Sequence, residues 1–403
     1  MVEALHPGSF GCSLEESESI MNNEKENINH RRTARIIAVA SGLLFSVFGV
    51  VYLAIFQKEV MEALHYSLAQ GKTVYAPWAS AVLITFVLML IRLGINGLVG
   101  LSGWLRSLSY FPSCLLLGVL TDVGHGVYHG EGIAAVWSWL LPLLLLLHVG
   151  VGMALARMSR LWINPEWEKD AMVNSNLLIL LVLCLMTVCI GNTNIHFHHE
   201  LQAEEALRKQ DYVEALKVGE KSMDPSRNLT ALRAYAMSRS GTMGEHLFRY
   251  PQLYGAAGLL MGTSNDKALR LNADSLYTYL GERPALGEPA LTFFHRICEE
   301  ETGNYTTMDY YLSALLLERK LDQFVKSFDE LYVDRDSIPH YYQQALFLYD
   351  KMHPSKKPMV ADEAMEEQWK AYEEEKTNLA GTVGEGNRMR RKFGDTYWWY
   401  YQY

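Results

Sequence analysis

Apolar and polar positions divide this chain near residue 191. Before that point, long uncharged runs alternate with short polar connections. After it, apolar residues recur every three or four positions with charges between them, the period of water-facing helices. The change is abrupt within residues 177–199, LLILLVLCLMTVCIGNTNIHFHH. Leu177 to Gly191 carries no charge, and with Asn174 to Asn176 ahead of it the run nears the roughly 20 residues that a bilayer-crossing helix needs. Four similar runs precede it. The pattern predicts about five transmembrane helices, at residues 36–56, 76–99, 105–121, 133–156 and 174–191. Pro112 breaks the third, and Pro142 lies in the fourth behind Trp137 and Trp139, which suit a membrane interface. The first run could imitate a secretory signal with Ala38-Val39-Ala40 as cleavage site. It is too long for that, the triplet sits at its start, and further spans follow.

The remaining pattern is helix after helix. Residues 203–225 have the layout of a tetratricopeptide-type hairpin: a helix to Lys209, a turn at Gln210-Asp211, then a helix from Tyr212 to the stop at Asp224-Pro225. Tyr212 and Ala215, a large and a small residue three apart, let neighbouring helices approach on one face. Residues 228–251 repeat the scheme, with Tyr235 in the packing face and Gly241 as the break. A third pair is expected over 310–332, turning near Lys320, and another helix between Pro339 and Pro354. Residues 361–376 read as a charged helix and 381–394 as loop. The expected fold is therefore all-α: a disordered polar tail (1–30), a transmembrane bundle (31–191), and a soluble tetratricopeptide-like α-solenoid (192–403) with an aromatic C-terminal tail. Six of the last seven residues are aromatic. They read as a plug on the helical unit or as a tail that a partner recognises. Met21 reads as an alternative start, which would leave out Cys12.

Charge sharpens this picture. Residues 1–191 carry −2 and residues 192–403 carry −7. An acidic second half without a Lys/Arg block excludes nucleic acid as the main partner. Membrane lipids and an unidentified protein partner, on the solenoid or the aromatic tail, are expected instead. Eight Lys/Arg flank one side of the five spans and four flank the other. That asymmetry predicts a cytoplasmic N-terminus and, after five crossings, a periplasmic second half anchored in a bacterial inner membrane. A re-entrant second or third span would reverse the side. Of five cysteines only Cys298 lies in the second half, so no disulfide can form within it.

Candidate chemistry lies in three places. Asp122, His125 and His129, with Glu131, crowd the third connection, and His196, His198 and His199 follow the last span. Imidazole and carboxylate suit zinc, so Asp122, His125, His129, His196 and His198 form a candidate zinc set, or a pH-sensitive contact. No HExxH or CxxC accompanies them, and otherwise no cofactor is expected. Arg92 and His148 sit inside apolar runs, where a polar group faces the bundle interior or snorkels to the headgroups. Gly94, Gly97, Gly100 and Gly103 recur every third residue and read as close helix packing or an irregular turn.

The five spans, the SYFPS segment at 109–113, the EALRKQDYVEAL and NLTALRAYAMSRSG hairpins, IPHYYQQALFLY and the TYWWYY end together resemble a family of polytopic bacterial membrane proteins. That family is defined only as a domain of unknown function with tetratricopeptide-like repeats in its C-terminal part. The resemblance implies this architecture and no catalytic residue. Three functions compete: a membrane-anchored interaction scaffold, a membrane enzyme handling lipid or sugar, and a transport component. The scaffold needs no catalytic set, and none is legible. The first outer loop lacks a paired-acid motif, since Val60-Met61 separate Glu59 and Glu62, and no inverted repeat is visible.

Overall fold

The computed structural model describes residues 32–130, 132–162, 169–261, 271, 273–332, 337–354, 359–360 and 362–403. The expected tail at 1–30 and Glu131 lie outside them. Every regular element among the described residues is helical. The chain forms two units, Met1–Thr193 and Asn194–Tyr403.

Among the described residues of the first unit, four helices are long and apolar enough to cross a membrane: Arg32–Phe56, Pro77–Val99, Trp137–Met158 and Met172–Ile190. We number the helices α1 (Arg32–Phe56), α2 (Lys58–Ala69), α3 (Pro77–Val99), α4 (Phe111–Thr121), α5 (Trp137–Trp162) and α6 (Lys169–Ile190). Their outward faces are apolar, with Leu43, Val47, Phe86, Leu90, Leu146 and Leu181 all exposed. Such a surface suits lipid rather than water.

The expected third span is not one α-helix. Residues Gly103–Tyr110 wind as a 3₁₀ helix and lead into the 11-residue α4. Pro112 lies in the first turn of α4, where a missing N–H costs nothing. Together the two pieces run beside α6 in the same direction. Asn176 Nδ2 donates to Gly103 O (3.0 Å) and Ser175 Oγ to Trp104 O (3.2 Å). Further along, Thr187 Oγ1 donates to Cys114 O (3.0 Å) and Asn192 N to Thr121 O (2.9 Å). At the first end Arg106 Nη1 meets Ala34 O of α1 (3.3 Å); at the other, Tyr52 of α1 meets Thr121 (3.0 Å) and Gln57 Nε2 donates to Asn192 O (2.8 Å). So α1, residues 103–121 and α6 share one direction.

The glycine repeat does not pack helices. A Cβ on Gly94 or Gly97 would meet nothing within 4 Å, while Gly100 ends α3 with φ +71°. Close approach falls elsewhere. A Cβ on Gly118 would lie 2.9 Å from Ile190 Cβ, and one on Gly191 would overlap the hydroxyls of Tyr52 and Thr121.

The second unit continues with α7 (Ile195–Arg208), α8 (Tyr212–Lys217), α9 (Arg227–Ser240), α10 (Met243–His246), α11 (Ala273–Leu280) and α12 (Ala290–Glu299). It closes with α13 (Thr307–Leu317), α14 (Leu321–Leu331), α15 (His340–Met352), α16 (Glu363–Leu379), α17 (Glu385–Phe393) and α18 (Tyr397–Gln402). Asp211 caps α8 through Glu214 N, at the expected turn. The expected long second helix ends after six residues, because Gly219 takes φ +58° and turns the chain. Ala215 and Tyr235 are buried and Tyr212 is half-buried against the same core. Arg239 lies over the rings of Tyr212, Tyr235 and Tyr279. Gly241 ends α9 at φ +68°. The pair α13 and α14 turns at Lys320, as the pattern predicts. The stretch 381–394, expected as loop, contains α17. Its basic last turn suits the helix C-terminus, and Lys392 pairs with Glu375 of α16 at 2.7 Å.

Packing also links elements far apart in sequence. Glu245 on α10 accepts from His340 N at the start of α15 (3.1 Å), and Tyr400 on α18 donates to Leu317 O (2.7 Å). The aromatic tail is a plug. Tyr397 and Trp398 are buried, Trp398 packs edge-on against Trp369 at 5.2 Å, and its Nε1 donates to Gln344 O (3.1 Å).

Two stability measurements follow. Gly191→Val forces a side chain onto Tyr52 and Thr121 and should cost about 1–3 kcal/mol. Thermal unfolding in detergent would show a lowered midpoint; an unchanged midpoint would contradict the close approach. Trp398→Ala should cost about 3–5 kcal/mol, and exposed Val383→Ala almost nothing. Equal effects would mean that the tail does not plug the core.

Candidate functional site

One group of polar positions in the first unit gathers around Arg92. A 3₁₀ helix repeats every three residues, so Arg106 and Ser109 share one face and Ser107 and Tyr110 the next. Helix α3 brings Arg92 into this group at 5% exposure. Its Nε donates to Ser109 Oγ (3.2 Å), and its guanidinium lies over the Tyr110 ring, 4.6 Å from the centroid. Ser109 Oγ in turn donates to Arg106 O (2.8 Å). Asn176 fixes the run from α6, accepting from Ser107 N at 2.8 Å. Ser41 and Ser107 place their hydroxyls 3.4 Å apart. Arg92 Nη2, Arg106 Nε, Asn96 Oδ1 and the Tyr110 hydroxyl are buried without hydrogen-bond partners. Neither arginine forms an ion pair with a carboxylate among the described residues. Arg92 thus faces the interior and does not snorkel. His148 does likewise: it is buried and stacks on Phe111 at 4.7 Å.

Within each unit the candidate zinc residues have other neighbours. Asp122 Oδ2 accepts from Trp137 Nε1 at 2.6 Å. His125 and His129 lie on a 3₁₀ turn, where residues four apart do not align, and His125 meets Tyr128 edge-on at 5.5 Å. In the second unit His196 faces Asp224 at 3.8 Å, and His198 lies on α7. Among the described residues no three His, Cys, Asp or Glu side chains form a group that could hold a metal ion.

The second unit holds a buried cation that the sequence did not signal. Arg233 is 2% exposed, lies over Tyr250 at 4.5 Å and donates from Nη2 to Val218 O (2.6 Å). Burial lowers its pKa to about 10. Beside it, a cleft of about 160 Å³ opens between the 220–223 turn, the 248–252 stretch and the C-terminal helices. Phe248, Tyr250, Trp399 and Tyr400 give it aromatic walls. Arg249 pairs with Glu220 at its rim, and Arg390 lies over Trp399 at 5.4 Å. Aromatic walls with both signs of charge can bind an extended peptide by stacking and charge-assisted hydrogen bonds.

His199, on α7, lies near Arg233. Its pKa is lowered, first by burial and then by Arg233, His196 and His198. Gly219 lies against its ring, where a Cβ would come 2.8 Å from Nδ1. A depressed pKa means that the folded state binds fewer protons than the unfolded state. The contribution is complete above the ordinary histidine value of 6.5 and is lost as pH falls through the lowered one. His199→Gln should therefore flatten the loss of thermal stability between pH 7.5 and pH 5. The same slope in both proteins would place the acid sensitivity elsewhere.

Comparison with curated proteins finds no match, and comparison with solved structures finds none either. One family model matches, over residues 26–283 and 288–403. That is most of the chain, which therefore belongs to DUF6057, a family of unknown function.

Proposed function

We propose that this chain is a membrane-anchored interaction protein. Its first unit crosses a bacterial inner membrane five times, with residues 103–121 as the third crossing beside α6. The chain enters at the Ala34 end of the bundle on the cytoplasmic side and leaves at the Asn192 end on the periplasmic side. The second unit then presents helical hairpins of tetratricopeptide-like type to a protein partner. The observation that carries this reading is the cleft bounded by Phe248, Tyr250, Trp399 and Tyr400, with the Arg249–Glu220 pair at its rim. A segment of extended chain carrying an acidic and an aromatic residue fits that chemistry.

The layer around Arg92 favours a second reading. A cation held inside an apolar bundle suits a membrane enzyme or transport component that handles an anionic lipid or sugar.

A photo-crosslinking amino acid separates the two. Met223 lines the cleft and is 58% exposed; Tyr305 is 86% exposed and lies outside it. In native membranes the probe at position 223 should give one defined protein adduct, and the probe at 305 none. Arg249→Glu should reduce the adduct severalfold. Equal labelling at both sites, or labelling indifferent to Arg249→Glu, would contradict the interaction role.

A further inference from the structure

Arginine stays protonated at any physiological pH. Holding its charge in an apolar interior without a counter-ion is unfavourable. Arg92 is in that position: 5% exposed, with one hydroxyl partner, one aromatic face and a free Nη2. Arg106, half-buried on the adjoining 3₁₀ run, adds a second positive charge and a buried Nε without a partner. The Tyr110 hydroxyl, fully buried, is a third unused donor. On the same 3₁₀ run the Ser107 hydroxyl lies 3.4 Å from that of Ser41. Two like charges brought together repel unless an anion lies between them. No carboxylate among the described residues takes that place.

From these groups we infer that Arg92, Arg106 and Tyr110 hold a phosphate group, supplied by the headgroup of an anionic lipid. Three observations fit a headgroup. Arg106 also donates to Ala34 O, at the end where α1 begins. Arg92 lies seven residues before Val99, the end of α3, which is about 10 Å at ~1.5 Å per residue. That depth is within reach of a lipid phosphate at the bilayer boundary. Trp104, two residues before Arg106, is exposed on the same run and suits the interface. Guanidinium nitrogens make charge-assisted hydrogen bonds to phosphate oxygens, and Arg92 can offer Nη2 while Nε stays on Ser109.

The test is native mass spectrometry of the full chain in detergent, titrated with phosphatidylglycerol and, separately, with sodium phosphate. The wild type should retain one phosphatidylglycerol. Arg92→Gln and Arg106→Gln should each weaken retention about tenfold, and Arg92→Lys, which keeps the charge but loses the planar guanidinium, by less. Displacement of the lipid by millimolar sodium phosphate would assign the site to the free ion; no displacement assigns it to the headgroup. Retention unchanged in Arg106→Gln, with an unchanged melting midpoint, would overturn the site even if Arg92→Gln fails to fold. So would a wild type that binds neither probe.

Discussion

A broken backbone inside an apolar bundle has no water to complete its hydrogen bonds, and each orphan group there costs several kcal/mol. Residues 103–121 meet that constraint through their neighbours. Asn176, Ser175 and Thr187 of α6 donate to the carbonyls of Gly103, Trp104 and Cys114. Ser113 closes the other side by donating to Leu88 O of α3 at 2.7 Å. The rest of the first unit depends on this bonding. It fixes the direction of the segment, draws α1 and α6 to the same two ends, and turns the polar faces of the 3₁₀ run toward Arg92. The Arg92 layer and the irregular backbone are therefore one feature: the winding that frees carbonyls also lines up serines and a tyrosine beneath a guanidinium.

The second unit solves a different problem. Its helices are short, and α8 and α18 each span only six residues. Such helices gain little stability alone. Aromatic packing holds them instead: Phe248 lies within 5.2 Å of Tyr341, Tyr397 and Tyr400. Gln344 ties α18 to α15, accepting from Tyr397 N and, through its carbonyl, from Trp398 Nε1. The cleft lies beside this cluster, so its walls are set by the same aromatic residues that close the core. A cleft so placed has rigid sides and an adjustable rim of charged side chains.

Period and composition made the long elements legible. Uncharged runs marked α1, α3, α5 and α6 within a few residues, and Pro339 and Lys320 marked helix starts. Legibility failed where tertiary contacts decide. Hydropathy treats residues 105–121 as one more span, but the 3₁₀ winding that begins at Gly103 depends on donors about 70 residues away. The repeated glycines up to Gly103 read as close packing or an irregular turn: Gly94 and Gly97 face open space, Gly100 and Gly103 take positive φ where the backbone turns, and Gly118 and Gly191 make close approaches. Arg92 stood out because charge is rare in an apolar run. Arg233 did not, since an arginine in an amphipathic helix is ordinary and only the fold buries it.

The proposed role places residues 103–121 across the membrane beside α6 as one of five crossings, an odd count. The direct measurement is a pair of full-chain fusions, with a reporter active only outside the cytoplasm placed after Tyr403 or before Arg32. Activity after Tyr403 and none before Arg32 is the predicted result. Activity at both positions, or at neither, would put the two ends on one side and contradict the odd count.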